Sequence, residues 1–213
     1  MGAALLLSSA LVSPLAAQGL GGGGLAYHVQ HRVLYAGAVR EQTGTFVGAE
    51  GSARLGPVRV GVAGLMGTLS GGNDPADPDK KVRASAVTVM LEASPRIAVG
   101  AELEAKRFES DAGVTAWRLI GGTGRVALSL GMPGLVGTAQ VSYFPSASVV
   151  GGATMGLAFR GTVGASYRSP RGPLTMSLGY RFERYDFKAV GSAPARLEQF
   201  RGVIVGAGIR LGR

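Results

Sequence analysis

A chain of 213 residues with 36 glycines, no cysteine and a formal net charge of +9 is long enough for one domain or a single barrel. The absence of cysteine excludes thiol nucleophiles, thiolate metal sites and iron–sulfur clusters. The glycine content disfavours helix, because each glycine inside a helix costs about 1 kcal/mol relative to alanine. No lysine- or arginine-rich block occurs and the arginines appear singly, which argues against nucleic acid as a partner.

Residues 1–18 read as a signal peptide. Ala3 through Val12 form the apolar stretch, Pro14 breaks it, and Ala16-Ala17-Gln18 supply small residues for cleavage, although no Lys or Arg precedes the stretch. Gly19 to Gly24 is expected as a flexible glycine-rich leader. From Leu25 onward apolar and polar residues alternate in segments of roughly ten, as in strands that cross a membrane. No later apolar run approaches the ~18 residues that a membrane helix needs, so a membrane location requires strands closed into a barrel.

Ten strand cores are expected: Tyr27–Arg40, Phe46–Leu55, Val58–Leu69, Val82–Ala93, Ile97–Phe108, Val114–Leu130, Leu135–Phe144, Met155–Arg168, Leu174–Phe187 and Phe200–Leu211. Eight strands remain an alternative count. The breaks alternate in kind. Short ones carry proline at Gly56-Pro57, Ser94-Pro95, Met132-Pro133-Gly134 and Ser169 to Pro173. Longer polar ones run from Ser70 to Lys81, Glu109 to Gly113, Pro145 to Thr154 and Lys188 to Glu198. That rhythm is the signature of a transmembrane up-and-down antiparallel β-barrel spanning residues 25–213.

With apolar rows such as Val203, Val205, Ala207, Ile209 and Leu211 turned to lipid, the opposite rows enter the lumen. The sixth segment changes phase in this reading: Trp117 and Leu119 point outward, Val126 and Leu128 also, and a bulge at Gly121–Gly124 reconciles them. Phe46, Phe108, Trp117, Tyr143, Phe144, Tyr185, Phe187 and Phe200 gather toward the long-loop end, as an interfacial girdle would, with Tyr27 and Tyr167 a thinner counterpart at the other end. Arg54, Arg59, Arg96, Arg168, Arg171, Arg210 and Arg213 gather at the short-turn end, where anionic phospholipid headgroups are the expected contact.

In this pattern the chain resembles the small outer-membrane β-barrel proteins of Gram-negative bacteria, the porin-like and OmpA- or OmpX-type group. The resemblance implies export to the bacterial outer membrane, membrane lipids and the barrel-assembly machinery as partners, and a monomer. That group commonly ends in an aromatic residue read during assembly. Here the end is Ile209-Arg210-Leu211-Gly212-Arg213, which leaves an atypical assembly signal or a secreted barrel open.

Little chemistry is visible. His28 and His31 lie three apart, on opposite strand faces, so they do not share a metal; His28 is expected in the lumen and His31 outside. Some barrels of the resembled kind are lipid-modifying enzymes with a Ser–His–acid set, and His28 would be the base there. The loop Asn73 to Lys81 holds several carboxylates but lacks the spacing of a calcium loop. No catalytic, metal or cofactor-binding residues are therefore assigned, and no cofactor is expected.

The informative set is a luminal charge network of Arg59, Arg83, Glu102, Glu104, Lys106, Arg118, Arg125, Arg160, Arg181 and Glu183. Small barrels are filled by their own side chains, so these groups are expected to pair across the lumen. The functional expectation is a non-enzymatic barrel with a structural or narrow-pore role. The alternative of another class is a soluble β-barrel around an apolar ligand, with the apolar rows facing inward.

Overall fold

The alternating segments form ten antiparallel strands in the computed structural model, which describes residues 19–71, 78–111, 113–150, 153–191 and 194–211. They are β1 (Gly19–Tyr35), β2 (Ala38–Leu55), β3 (Val58–Ser70), β4 (Lys80–Ser94), β5 (Ile97–Ser110), β6 (Gly113–Ser129), β7 (Leu135–Val149), β8 (Thr154–Arg168), β9 (Leu174–Lys188) and β10 (Arg196–Leu211). Each strand pairs with its neighbours in sequence, and β1 also pairs with β10, so the sheet closes without an edge. The signal-peptide segment lies outside the described residues.

Three expectations about the strands are corrected. The glycines at 19–24 are not a leader: they form the first part of β1, paired to β2 on one side and, from Leu20 onward, to β10 on the other. The expected strand Tyr27–Arg40 is interrupted by a tight hairpin at Ala36-Gly37, with φ of 50° and 81°. Positive φ at both central residues is what a two-residue turn between twisted strands demands. The sixth strand does not change phase. The irregularity sits across from it in β7, where Ile120 faces Ser146 and Gly122 faces Tyr143, so Phe144 and Pro145 crowd the place opposite Gly121. Pro145 has no N–H to give a ladder, and a bulge is where such a residue fits.

Closure at the seam requires glycine at position 202. A Cβ there would lie 1.9 Å from the backbone oxygen of His28 on β1. Any side chain would push the first and last strands apart.

The apolar rows face out. Val205 is 44% exposed, and Val62, Val89, Val99, Leu128, Val141, Val163 and Leu178 are similarly bare. A contiguous apolar wall around a closed barrel is a surface for hydrocarbon, not water. The soluble alternative, which needs those rows inside, is corrected by this arrangement. The strands run to 18 residues, well beyond the ~9–11 that span a bilayer, so their ends continue past the apolar wall. This is why the loops are shorter than expected: Glu109, Ser110 and Pro145 to Val149 remain in paired strands.

Candidate functional site

Parity along each strand decides which side chains enter the lumen. On β5 the even positions Glu102, Glu104, Lys106 and Phe108 face in, and all are buried. On β9 the odd positions Arg181, Glu183, Tyr185 and Phe187 do so, and Arg160 reaches in from β8. These residues meet at mid-height in one network. Arg160 donates one guanidinium nitrogen to Glu102 and the other to Glu104 Oε2, the latter at 2.5 Å. Ser142 Oγ donates to the second Glu102 oxygen at 2.6 Å. Lys106 Nζ donates to Glu183 and, at 3.0 Å, to the Tyr185 hydroxyl, and lies 3.4 Å from Glu104 Oε1. Arg181 Nε donates to the other Glu183 oxygen at 2.5 Å. Three carboxylates thus face three cations, and the Tyr185 hydroxyl sits 3.0 Å from Glu104 and 2.8 Å from Glu183.

A second cluster lies toward the proline turns. Glu92 of β4 is flanked by Arg54 at 2.8 Å, Arg59 at 3.0 Å and Arg125 at 3.5 Å. Between the two clusters is a cavity of ≈ 410 Å³, lined among others by Arg59, Arg125, Arg160, Arg181, Arg210 and Glu50. Arg54, Arg59, Arg168 and Arg210 therefore sit on inward positions of their strands and not against lipid headgroups, a correction to the expectation for the short-turn end.

Toward the long loops the lumen is filled by rings. Phe108 packs on Trp117 at 4.8 Å between centroids, and Trp117 on Tyr185 at 5.3 Å and Phe187 at 5.5 Å. Phe200 lies 4.2 Å from the His31 ring, nearly parallel to it, and Lys106 Nζ sits over the Phe200 face at 4.4 Å. Phe46, Phe108, Trp117, Phe144, Tyr185, Phe187 and Phe200 are all buried, and Tyr27 with them. The expected interfacial girdle is thus an internal layer, and only Tyr143 of that set is exposed on the outside. Rings are pulled inward because a narrow barrel has volume to fill and few other large side chains to fill it.

Of the ten residues expected in the luminal network, the structure turns two outward. Arg83 and Arg118 are exposed on the outer wall, opposite in parity to Val82 and Trp117, which are buried. The lumen takes Leu119, Thr123 and Arg125 from the same strand, so Arg118 has to face away. The histidines also exchange places. His28 is exposed, with Nδ1 3.2 Å from Thr45 Oγ1, whereas His31 is 2% exposed inside the lumen with Nε2 3.1 Å from Glu198 Oε2. Glu92 is inside, as its place among the charged strand positions predicts, whereas Ser142, Tyr185, His31 and Glu198 are site residues that the alternation of charge does not mark. Parity with Glu102, Glu183 or Tyr27 along the same strands was the available signal for several of them.

No family model matches the sequence, and no curated protein matches it. Among solved structures the chain is similar to the outer-membrane protease OmpT from Escherichia coli, at 10% identity and a TM-score of 0.57, covering 92% of this chain and 97% of that one. It is also similar to the translocator domain of the autotransporter NalP from Neisseria meningitidis, at 12% identity and a TM-score of 0.53, covering 91% of this chain and 88% of that one. The fold is that of the bacterial outer-membrane barrels.

A barrel with an apolar outer wall should show where that wall ends, and this one does. Going from the proline turns toward the long loops, the outward rows of β5, β6, β9 and β10 carry only apolar or aromatic side chains until they reach Arg107, Arg118, Arg184 and Arg201, and that of β4 carries one polar residue, Ser85, before Arg83. Arg83 faces Arg107 directly across the β4–β5 pair, an arrangement of like charges that is unfavourable unless anions lie nearby. Glu109 answers Arg107 at 2.6 Å, and Asp186 answers Arg184 at 2.9 Å.

Proposed function

We propose that this chain is a monomeric outer-membrane barrel whose lumen is closed by its own side chains, with a structural role in the membrane and no role as a wide conduit. The observation that carries this reading is the continuous stack inside the barrel. The balanced network of Glu102, Glu104, Lys106, Arg160, Arg181 and Glu183 is topped by the layer of Phe108, Trp117, Tyr185 and Phe200. Burying charge without partners is costly, so a network in which each carboxylate has a cation resists opening. Purified protein in a planar bilayer should show little or no steady conductance. Large, stable channels would overturn the closed-lumen reading. They would favour instead a narrow anion path through the cavity bounded by Arg59, Arg125 and Arg210.

The partners that fit are membrane lipids and the assembly machinery that inserts such barrels; nothing in the distribution of charge suits nucleic acid. The arginine collar supports an orientation. Guanidinium groups at the end of an apolar wall sit at the level of anionic headgroups, with their stems against hydrocarbon. The collar borders the long loops, so we place that end at the outer leaflet and the proline turns in the periplasm. Protease added to intact cells should cut around Pro75–Lys81 or Ala189–Arg196 and spare Ser169–Pro173. Cleavage confined to the proline turns would reverse the orientation.

A further inference from the structure

The ≈ 410 Å³ cavity between the central network and the proline turns exists because small residues leave its wall unfilled: Gly21 on β1, Gly61 and Ala63 on β3, and Ala86 on β4. A Cβ added at Gly61 would meet nothing nearer than the backbone oxygen of Gly51, at 3.9 Å. The inner end is closed by Glu102, Arg160 and Arg181 of the network. Thr88, Thr138, Thr162 and Thr175 also line the cavity, and among the described residues their hydroxyls have no hydrogen-bond partner.

Four guanidinium groups gather at the proline-turn end of this space. Arg54, Arg59 and Arg125 share the one carboxylate of Glu92, whose two oxygens are both engaged. Arg210 makes no ion pair among the described residues, and its charged neighbours are Arg59, Arg168, Arg54 and Glu92. Leaving aside Arg168, which has a partner of its own, four cations stand against one carboxylate there. Glu50 lies on the cavity wall as well but pairs with none of them, and with it counted the ratio is still four to two. These groups can be reached: the side chains of Arg54, Arg59 and Arg125 are 36%, 24% and 21% exposed, and Arg210 is half-buried. Like charges held together in a cleft repel one another and raise the local potential, which an entering anion lowers.

We propose that this vestibule binds a small phosphorylated polyol, which enters from the proline-turn side. The phosphate accepts from Arg210 with Arg59 and Arg125 beside it, because the fork of a guanidinium matches two phosphate oxygens at once. The hydroxyls of the ligand meet the unpaired threonine hydroxyls further in, each of which can donate or accept. The volume lies within the range of small-molecule pockets. This site goes beyond the closed-lumen reading and does not rest on it: binding is read without any current, whereas conductance alone decides closure.

Calorimetry on the folded full chain in a non-ionic detergent, at fixed ionic strength, compares glycerol 3-phosphate, inorganic phosphate and glycerol. Glycerol 3-phosphate should bind saturably, inorganic phosphate measurably but more weakly, and glycerol not at all. Arg210→Gln is the cleanest variant, because Arg210 leaves no ion-pair partner behind. It should weaken glycerol 3-phosphate at least about tenfold, as expected when charge-assisted hydrogen bonds are lost. Glu50→Gln should tighten binding, since it removes a negative charge from the same wall. Gly61→Leu, which fills the space without touching a cation, should abolish it, and Arg118→Gln on the outer wall should leave it unchanged. Folding of each variant is checked by its heat-modifiable mobility on an unboiled gel, and the comparison of ligands on the wild type stands whether or not a variant folds. No saturable heat from either phosphate would overturn the site, and equal affinity for the two would overturn the polyol assignment. Unchanged affinity in folded Arg210→Gln would remove the vestibule arginines from it, and an equal loss in Arg118→Gln would move the binding to the outer wall.

Discussion

The double variant Glu102→Ala/Glu104→Ala should lose much of the barrel's heat stability. Both carboxylates serve Arg160, one on each arm of its guanidinium, and Glu104 also lies within reach of Lys106 and the Tyr185 hydroxyl. Removing both leaves Arg160 buried without an anionic partner and turns a balanced cluster into one with surplus positive charge. Deleting one partner of a buried pair costs about 3–5 kcal/mol. The two losses will not simply add, because they share a cation. The temperature at which the unboiled gel band converts to the unfolded mobility should fall clearly below that of the wild type. The Glu102→Gln/Glu104→Gln variant should fall between them, since amide oxygens still accept from Arg160 but no longer neutralise it. In a planar bilayer the alanine variant should leak with a preference for anions, because the cations that remain line the opened space. An unchanged transition would show that these carboxylates do not hold the lumen closed.

What the sequence revealed and what it hid follow from the range of the interactions involved. Strand existence, the proline turns and the order of short and long connections rest on local chemistry, and ten strands close in that order. The Ala36-Gly37 hairpin was missed because alanine seldom adopts the positive φ that the turn imposes, so no Asn-Gly or Asp-Gly signal marks it. Facing errors had a different origin. Aromatic residues near strand ends suit a membrane interface by position alone, yet Phe108 shares parity with Glu102, Glu104 and Lys106, and Phe187 shares it with Arg181 and Glu183. Conversely, charge alone puts Arg83 and Arg118 in the lumen, whereas the parity of Val82 and Trp117 turns them out. The strands outrun the bilayer, and beyond its edge a charged residue can face out at no desolvation cost. The meeting of β1 with β10 brings His31 and Glu198 together, 167 residues apart in sequence, and no local pattern encodes that pair.

Placing an arginine at position 205 should be far more damaging than placing one at its neighbour, position 204. Val205 faces out from β10 between Ala26 of β1 and Leu178 of β9, in the middle of the apolar wall. Arginine on a lipid-facing strand position at mid-bilayer costs about 2–4 kcal/mol, falling toward zero near the interfaces. The position lies several residues from the native collar arginine at 201, too far for the new side chain to reach the same headgroup level without bending the wall around it. Ile204 points the other way, between Tyr27 and Gly179, and borders the ≈ 410 Å³ cavity, which has space for a longer side chain. Its replacement loses apolar packing and adds a positive charge near Arg181, so a modest loss of stability is expected with insertion retained. The comparison uses membrane-fraction yield and heat-modifiable mobility for Val205→Arg and Ile204→Arg made side by side. Low yield of the folded form for the first and near-normal yield for the second is the expected result. Equal tolerance of the two substitutions would mean that the outward row of β10 does not meet lipid, and the membrane placement of the whole apolar wall would fall with it.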